Sequence, residues 1–369
     1  MPESWYLVDD INEIDSPALL IYKDRVQYNI ALAIQIVGDV DRLRPHVKTH
    51  KSPEATKLML EAGITKFKCA TIAEAEMLAQ CGAADVLLAY QPAGPKVKRF
   101  LSLIQGYRDV YFSCLVDSVD AANMISQEAV AQELEVKLFI DVNVGMDRTG
   151  VMPEHATVLY DACNELPGIK VVGLHGYDGH INDADLAIRQ QRADEAFSRL
   201  IEVKEYLRTN GTSQPVIIMG GSPTFAIHAQ RKDVECSPGT FVYWDRSYQQ
   251  SFPDLAFLPA ALVLCRVISI VDETRICLDL GHKSIASENT LNRRVYFLNA
   301  EDLNPVSHSE EHMVVETALP NQYKIGDVLY GMPYHVCPTC ALYERANVIE
   351  QGKLKEEWQM VARDRKILV

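Results

Sequence analysis

The chain has 369 residues, in which 36 lysines and arginines stand against 50 aspartates and glutamates, a net charge of −14. A field of that sign repels phosphate backbones, which excludes nucleic acid as a natural partner in favour of a small metabolite. No apolar run approaches the roughly 20 residues that cross a bilayer, and the acidic opening of the chain lacks the basic-then-apolar order of a secretory leader. The nine scattered cysteines read as reduced thiols rather than a disulfide framework, so a cytoplasmic protein with no membrane partner is expected.

At this length a single core is too small, and one large domain with a smaller companion is expected. Ala18–Ile21 opens a series of short apolar strands. A segment ending at Lys48 follows, then residues 66–70, 85–90, 110–116, 137–141, 171–175 and 216–219. Helical spacing fills the intervals, for example over 52–62, 72–80, 118–132, 154–165 and 183–208. Eight strands alternating with helices predict a (β/α)8 barrel of the TIM type. The competing doubly wound sheet would need a Gly-x-Gly-x-x-Gly turn after its first strand, which is absent. From about residue 256 the helices stop, and residues 261–271, 275–280, 294–298, 312–316, 327–331 and 347–350 read as strands of a separate β domain. The barrel is therefore placed at 15–252 and the β domain at 253–369, with residues 1–14 as candidates to join the latter.

In such a barrel the reactive groups gather where strands end. Lys48 closes one strand, and a helix with Ser52 as N-cap and Pro53 at its first position follows, which makes Lys48 a candidate Schiff-base amine. Lys51 sits on the turn and reads as a solvated or phosphate-facing charge. The other strand ends are also polar: Tyr90, then Asp141 with Asn143 and Arg148, then His175, Tyr177 and His180, and finally Gly220-Gly221-Ser222. Small residues after the last strand let backbone N–H groups cradle a phosphate, and Ser237-Pro238-Gly239-Thr240 offers a second small-residue turn for the same cup. A phosphate cup opposite an amine implies a phosphorylated aldehyde, pyridoxal 5′-phosphate. Arg148 could stabilise that cofactor's phenolic oxygen; an ion pair with Asp141 or Asp147 is the competing reading.

In the β domain, Pro333 to Cys340 spells Pro-Tyr-His-Val-Cys-Pro-Thr-Cys. If that segment is extended, His335 and Cys337 project to one side and could share a metal ion, and nitrogen with sulfur favours zinc. Manganese and magnesium are the alternatives. A buried His and Cys without metal is the bland reading. Cys337 and Cys340 also form Cys-x-x-Cys, but no second pair completes a structural zinc site and no thioredoxin-like context surrounds it.

These motifs resemble the D-threonine aldolase and D-serine dehydratase family of alanine racemase-like, fold-type III pyridoxal phosphate enzymes. The resemblance rests on Asp15-Ser16-Pro17, Arg-Pro-His-x-Lys-x-His-Lys at Arg44 to Lys51, and Val-Gly-x-x-Arg-x-Gly-Val at Val144 to Val151. Gly-Leu-x-x-Tyr at Gly173 to Tyr177, the Gly220 turn, Pro238 to Asp245 and His-x-Cys-Pro-Thr at His335 extend it over nearly the whole chain. The resemblance implies that Lys48 carries the cofactor, that Arg148 contacts its phenolic oxygen and that Tyr177 lines the pocket. It implies phosphate contacts from Gly220, Gly221, Ser222, Gly239 and Thr240, a divalent metal on His335 and Cys337, and a homodimer. Lys48, Tyr177 and His335 are then the catalytic residues. Asp141 stands where alanine racemases carry a modified lysine.

The implied reaction is a lyase acting on a D-β-hydroxy amino acid. In the aldolase form D-threonine gives glycine and acetaldehyde; in the dehydratase form D-serine gives pyruvate and ammonia. Aldolases of this family resemble His-x-Asp at the metal element and dehydratases His-x-Cys, as Cys337 has it, whereas Pro338-Thr339 looks aldolase-like. The aldolase is the expected type, the dehydratase the alternative. A racemase and a non-catalytic pyridoxal phosphate binder are the remaining readings; the β domain counts against the binder and the missing second catalytic tyrosine against the racemase.

Overall fold

The computed structural model describes residues 4–320 and 322–369. The first apolar run, β1 (Ala18–Tyr22), is buried at every position, and it is not a barrel strand. It pairs antiparallel with residues 261–264 and parallel with 347–349. A run apolar throughout suits any strand covered on both faces, so this interior strand of another sheet has the texture of a barrel stave.

The barrel strands are β2 (Lys66–Cys69), β3 (Asp85–Leu88), β4 (Tyr111–Val116), β5 (Val136–Asp141), β6 (Ile169–Gly176), β7 (Val216–Met219) and β8 (Val234–Cys236), parallel and hydrogen-bonded in that order. The gap between β8 and β2 is filled by residues 43–47. Arg44 N donates to Cys236 O at 2.8 Å and His46 N to Pro238 O at 2.9 Å, while Val47 N donates to Lys68 O at 2.9 Å. With bridges Leu43–Cys236 and His46–Lys68, this segment closes the circle as its eighth member. The (β/α)8 reading holds, with β8 in place of the expected Ala18–Ile21 strand. Leu87, Leu115, Phe139 and Ile218 form the packed interior.

Buried ion pairs fasten the closure. Arg44, 2% exposed, is bidentate to Asp85 at 2.7 and 2.8 Å and reaches Glu235 Oε2 at 2.7 Å. Lys66 Nζ meets the other Glu235 oxygen at 2.6 Å. Burial alone would lower the Arg44 pKa, but Glu235 and Asp85 outweigh it and hold the guanidinium charged.

Compact grouping divides the chain at Gly239–Thr240, whereas Phe252–Pro253 was the expected boundary. One unit gathers Ala33–Lys48, Thr56–Gly239 and Asp364–Val369 around the barrel; the other gathers the chain up to Leu32, Thr49–Ala55 and Thr240–Arg363. The second unit contains β9 (Ala261–Ile270), β10 (Arg275–Leu278), β11 (Val295–Phe297), β12 (Asn304–His308), β13 (Met313–Glu316), β14 (Val328–Pro333), β15 (Arg345–Glu350) and β16 (Lys353–Gln359). Its sheet runs β12-β13-β10-β9-β1-β15-β16, with β14 bridging β9 and β11. The outermost strands β12 and β16 are polar and largely exposed, which blunts both edges against further pairing. No helix among the described residues is long and apolar enough to cross a membrane.

Candidate active site

In the barrel unit, three cations gather around the ring of Tyr177. Lys48 Nζ lies 6.0 Å, Lys68 Nζ 5.6 Å and the Arg148 guanidinium carbon 5.1 Å from its centroid. Each comes from a different strand end, as a (β/α)8 site requires. Lys48 follows the closing segment 43–47, and its backbone N donates to His46 Nδ1 at 3.3 Å. Arg148 rides on a loop that Asn143 organises: Asn143 Oδ1 accepts from Gly145 N at 2.9 Å and Asn143 Nδ2 donates to Asp147 at 2.8 Å. Among the described residues Arg148 pairs with neither Asp141 nor Asp147. Asp141 instead holds His175, Nδ1 to Oδ1 at 2.7 Å. Burial lowers the His175 pKa against the pull of Asp141, and its Nε2, also buried, has no hydrogen-bond partner.

Lys68 is a site residue that the sequence reading passed over. Its register partner is Leu87 of the barrel interior, so its side chain also points inward. It is 2% exposed and donates to Ser237 Oγ at 2.5 Å. Burial, reinforced by neighbouring Lys48, brings its pKa down to about 7 although Asp141 and Asp178 pull it upward. The available signal was a lysine inside the apolar run Phe67-Lys68-Cys69-Ala70.

The glycine turn after β7 is built as a rigid ledge. Gly220 has φ +87°, a left-handed conformation, and a Cβ there would approach His228 at 3.1 Å. Gly221 N donates to Thr224 Oγ1 at 3.3 Å, and that hydroxyl donates to buried Asp178 at 2.9 Å. His228 Nε2 meets the other Asp178 oxygen at 2.7 Å, while Arg231 donates to His228 Nδ1 at 2.9 Å. Because arginine only donates, Nδ1 accepts and Nε2 carries the proton toward Asp178. A Cβ on Gly221 would meet the Tyr177 ring at 3.3 Å, so the turn lies against the ring that the cations surround. Gly239 N donates to Ser222 Oγ at 3.3 Å, and Ser237 Oγ donates to Gly220 O at 3.0 Å, which ties the second small-residue turn to the first. Tyr90 carries Lys96 Nζ over its ring at 4.9 Å.

In the β unit the segment 333–340 is not extended as expected. His335 is extended at the N-cap of the helix Val336–Leu342, and Cys337 lies in that helix's first turn. The two side chains still hydrogen-bond, because the N-cap folds back over the first turn. His335 Nδ1 is held by Glu288 Oε1 at 2.5 Å. Burial would lower the His335 pKa, but Cys337 and Glu288 outweigh it and raise it to about 9. Cys337 Sγ lies 3.0 Å from Thr49 Oγ1 and 3.5 Å from Thr240 Oγ1, so the Thr240 hydroxyl faces the thiol. Asp245 anchors the helix by accepting from Val336 N at 3.2 Å. Cys340 is buried, which pushes its thiol up and leaves Cys337 the accessible sulfur of the pair. No group of three or more His, Cys, Asp or Glu side chains that could hold a metal ion occurs among the described residues.

A family model for the alanine racemase N-terminal domain matches residues 21–247. The chain belongs to that family. A second model, described as a serine dehydratase domain, matches residues 260–349. D-threonine aldolase of Arthrobacter sp. is 27% identical over 365 residues, covering 96% of this chain and 94% of that protein. D-threo-3-hydroxyaspartate dehydratase of Delftia sp. is 26% identical over 376 residues, 95% of this chain and 98% of that one. Among solved structures, D-threonine aldolase from Filomicrobium marinum superposes with a TM-score of 0.88 at 24% identity, covering 97% and 98% of the two chains, which shows the alanine racemase-like fold. These relatives of the alanine racemase family are aldolases and dehydratases, and both reactions are lyase reactions.

Proposed function

We propose that the chain is a pyridoxal 5′-phosphate-dependent lyase acting on D-β-hydroxy amino acids, of the D-threonine aldolase type, assisted by a divalent metal on His335 and Cys337. The observation that carries the cofactor is the gathering of Lys48, Lys68 and Arg148 about Tyr177 with no ion pair to any of them among the described residues. Buried or crowded cations without carboxylates are costly, and a dianion bearing an aldehyde fits both the charge and the amine. When bound, the cofactor would supply an electron sink at the substrate α-carbon and the metal a Lewis acid for the β-hydroxyl.

The chain's own residues supply the rest. Lys48 would hold the cofactor through its amine, and in the dehydratase alternative the same amine would take the substrate α-proton. Arg148 would face the phenolic oxygen with its guanidinium. Gly220, Gly221, Ser222, Gly239 and Thr240 would hold the phosphate, with Tyr177 packed against the same turn. Glu288 occupies His335 Nδ1, which leaves Nε2 as the nitrogen for zinc, the metal favoured by a nitrogen and sulfur pair.

The serine dehydratase domain match and Cys337 favour a second reading, dehydration of D-serine or a related β-hydroxy amino acid. Purified protein incubated with D-threonine, D-serine and D-3-hydroxyaspartate separates the two: glycine plus an aldehyde marks the aldolase, a 2-oxo acid plus ammonia the dehydratase. A chelator should abolish either activity. A visible cofactor band with no product from any of the three substrates would overturn both. A cytoplasmic homodimer is proposed with this reading, and light scattering on the purified protein checks the dimer.

A further inference from the structure

Lys68 points into the barrel, between Ser237 Oγ at 2.5 Å and the Tyr177 ring at 5.6 Å. Among the described residues, Ser237 is its one hydrogen-bond partner and no carboxylate is within ion-pair reach. Ser237 in turn donates to Gly220 O at 3.0 Å, so the amine is tethered to the turn proposed for phosphate. An ammonium can make three hydrogen bonds, and a buried one left with a single neutral partner is strongly disfavoured unless an anion completes it. Its pKa near 7 is what that isolation produces.

We infer that Lys68 is a cofactor-binding residue, positioned by Ser237 to contact an anionic oxygen of the bound pyridoxal phosphate. This rests on the functional reading above. The oxygen belongs either to the phosphate or to the ring's phenolate. Both are anionic acceptors, and an experiment with the phosphate removed tells them apart. A purely structural lysine in this position would do the opposite of what is proposed, stabilising the protein whether or not the ligand is present.

The full-length apoprotein and its Lys68→Met, Lys68→Arg and Ser237→Ala variants are titrated with pyridoxal 5′-phosphate and with pyridoxal, following the visible band, and melted with and without cofactor. Loss of one charged hydrogen bond predicts pyridoxal phosphate binding about tenfold to a hundredfold weaker in Lys68→Met, with partial rescue in Lys68→Arg. Ser237→Ala should weaken it about fivefold, the scale of one neutral hydrogen bond. Apo Lys68→Met should melt no lower than the wild-type apoprotein, because an uncompensated buried charge has been replaced by an apolar chain of similar length. Weakening confined to pyridoxal phosphate assigns the phosphate; equal weakening with pyridoxal assigns the phenolate. Unchanged affinity in Lys68→Met, or an apoprotein destabilised as much as the cofactor-bound form, would overturn the inference and leave the functional reading standing. A wild-type protein that takes up no pyridoxal phosphate would overturn that reading and this inference with it.

Discussion

Around Tyr177 in the barrel, Lys48, Lys68 and Arg148 converge without a carboxylate partner among the described residues, whereas around Cys337 in the β unit the polar groups hold one another: Glu288 on His335, Thr49 and Thr240 on the thiol, Asp245 on the helix start. The first arrangement holds unfavourable charge that a bound anion would offset. The second is already satisfied and works as a fixed mount. Substitutions in the barrel site should therefore register in ligand uptake, and substitutions in the β unit in local order and metal affinity.

The largest expected effect tests the barrel half. Lys48→Ala should remove the visible cofactor band and lower kcat by about 10³-fold or more, as loss of a covalent group does. Loss of the band in Lys51→Ala instead would break the comparison, because Lys51 groups with the β unit. Next comes Arg44→Ala, which strands Asp85 at the closure of the barrel and leaves Glu235 with Lys66 alone. Breaking a buried pair from one side costs about 3–5 kcal/mol, read as a fall in denaturant midpoint at unchanged m.

How much of this was legible in the sequence depends on where each residue's partners come from. The strands β2 to β7 were readable as short, mostly apolar runs between helical patterns, with Lys66 and Lys68 of β2 as exceptions. β8 was not: it is three residues long with Glu235 at its centre, and its charge makes sense only once Arg44 and Lys66 stand beside it. β1 was misassigned because an interior strand of an antiparallel sheet carries the same run of apolar residues. β12 and β16 were missed because polar edge strands lack the alternation that marks a half-buried one. At the site, Lys48, Arg148, Tyr177 and the glycine turns were visible as polar residues at strand ends. Lys68 was not, since a lysine in sequence reads as surface until register shows it beside Leu87. His335 and Cys337 hydrogen-bond to each other from an N-cap and the first turn of a helix, not through the extended spacing expected.

A buried histidine of the β unit makes a prediction in acid. His50 Nδ1 accepts from Ser52 N at 3.1 Å, and burial drives its pKa down to about 3. The unfolded chain then binds the extra proton below the ordinary histidine value of 6.5, so stability is complete above that pH and falls as pH drops. The loss should reach about 2 kcal/mol by roughly pH 5, seen as a falling melting midpoint that His50→Gln flattens.

The smallest effect is the finest probe of the fixed mount. Thr49→Val keeps the shape and removes the hydroxyl 3.0 Å from Cys337 Sγ. If that hydrogen bond only helps hold a thiol already placed by the helix and by His335, stability should fall by about 1 kcal/mol and metal affinity by no more than about tenfold. Cofactor uptake at Lys48 should be unchanged, because the charge that drives it resides in the barrel. A Thr49→Val protein that loses its cofactor band while keeping its melting midpoint would show that the two units do not divide the work in this way.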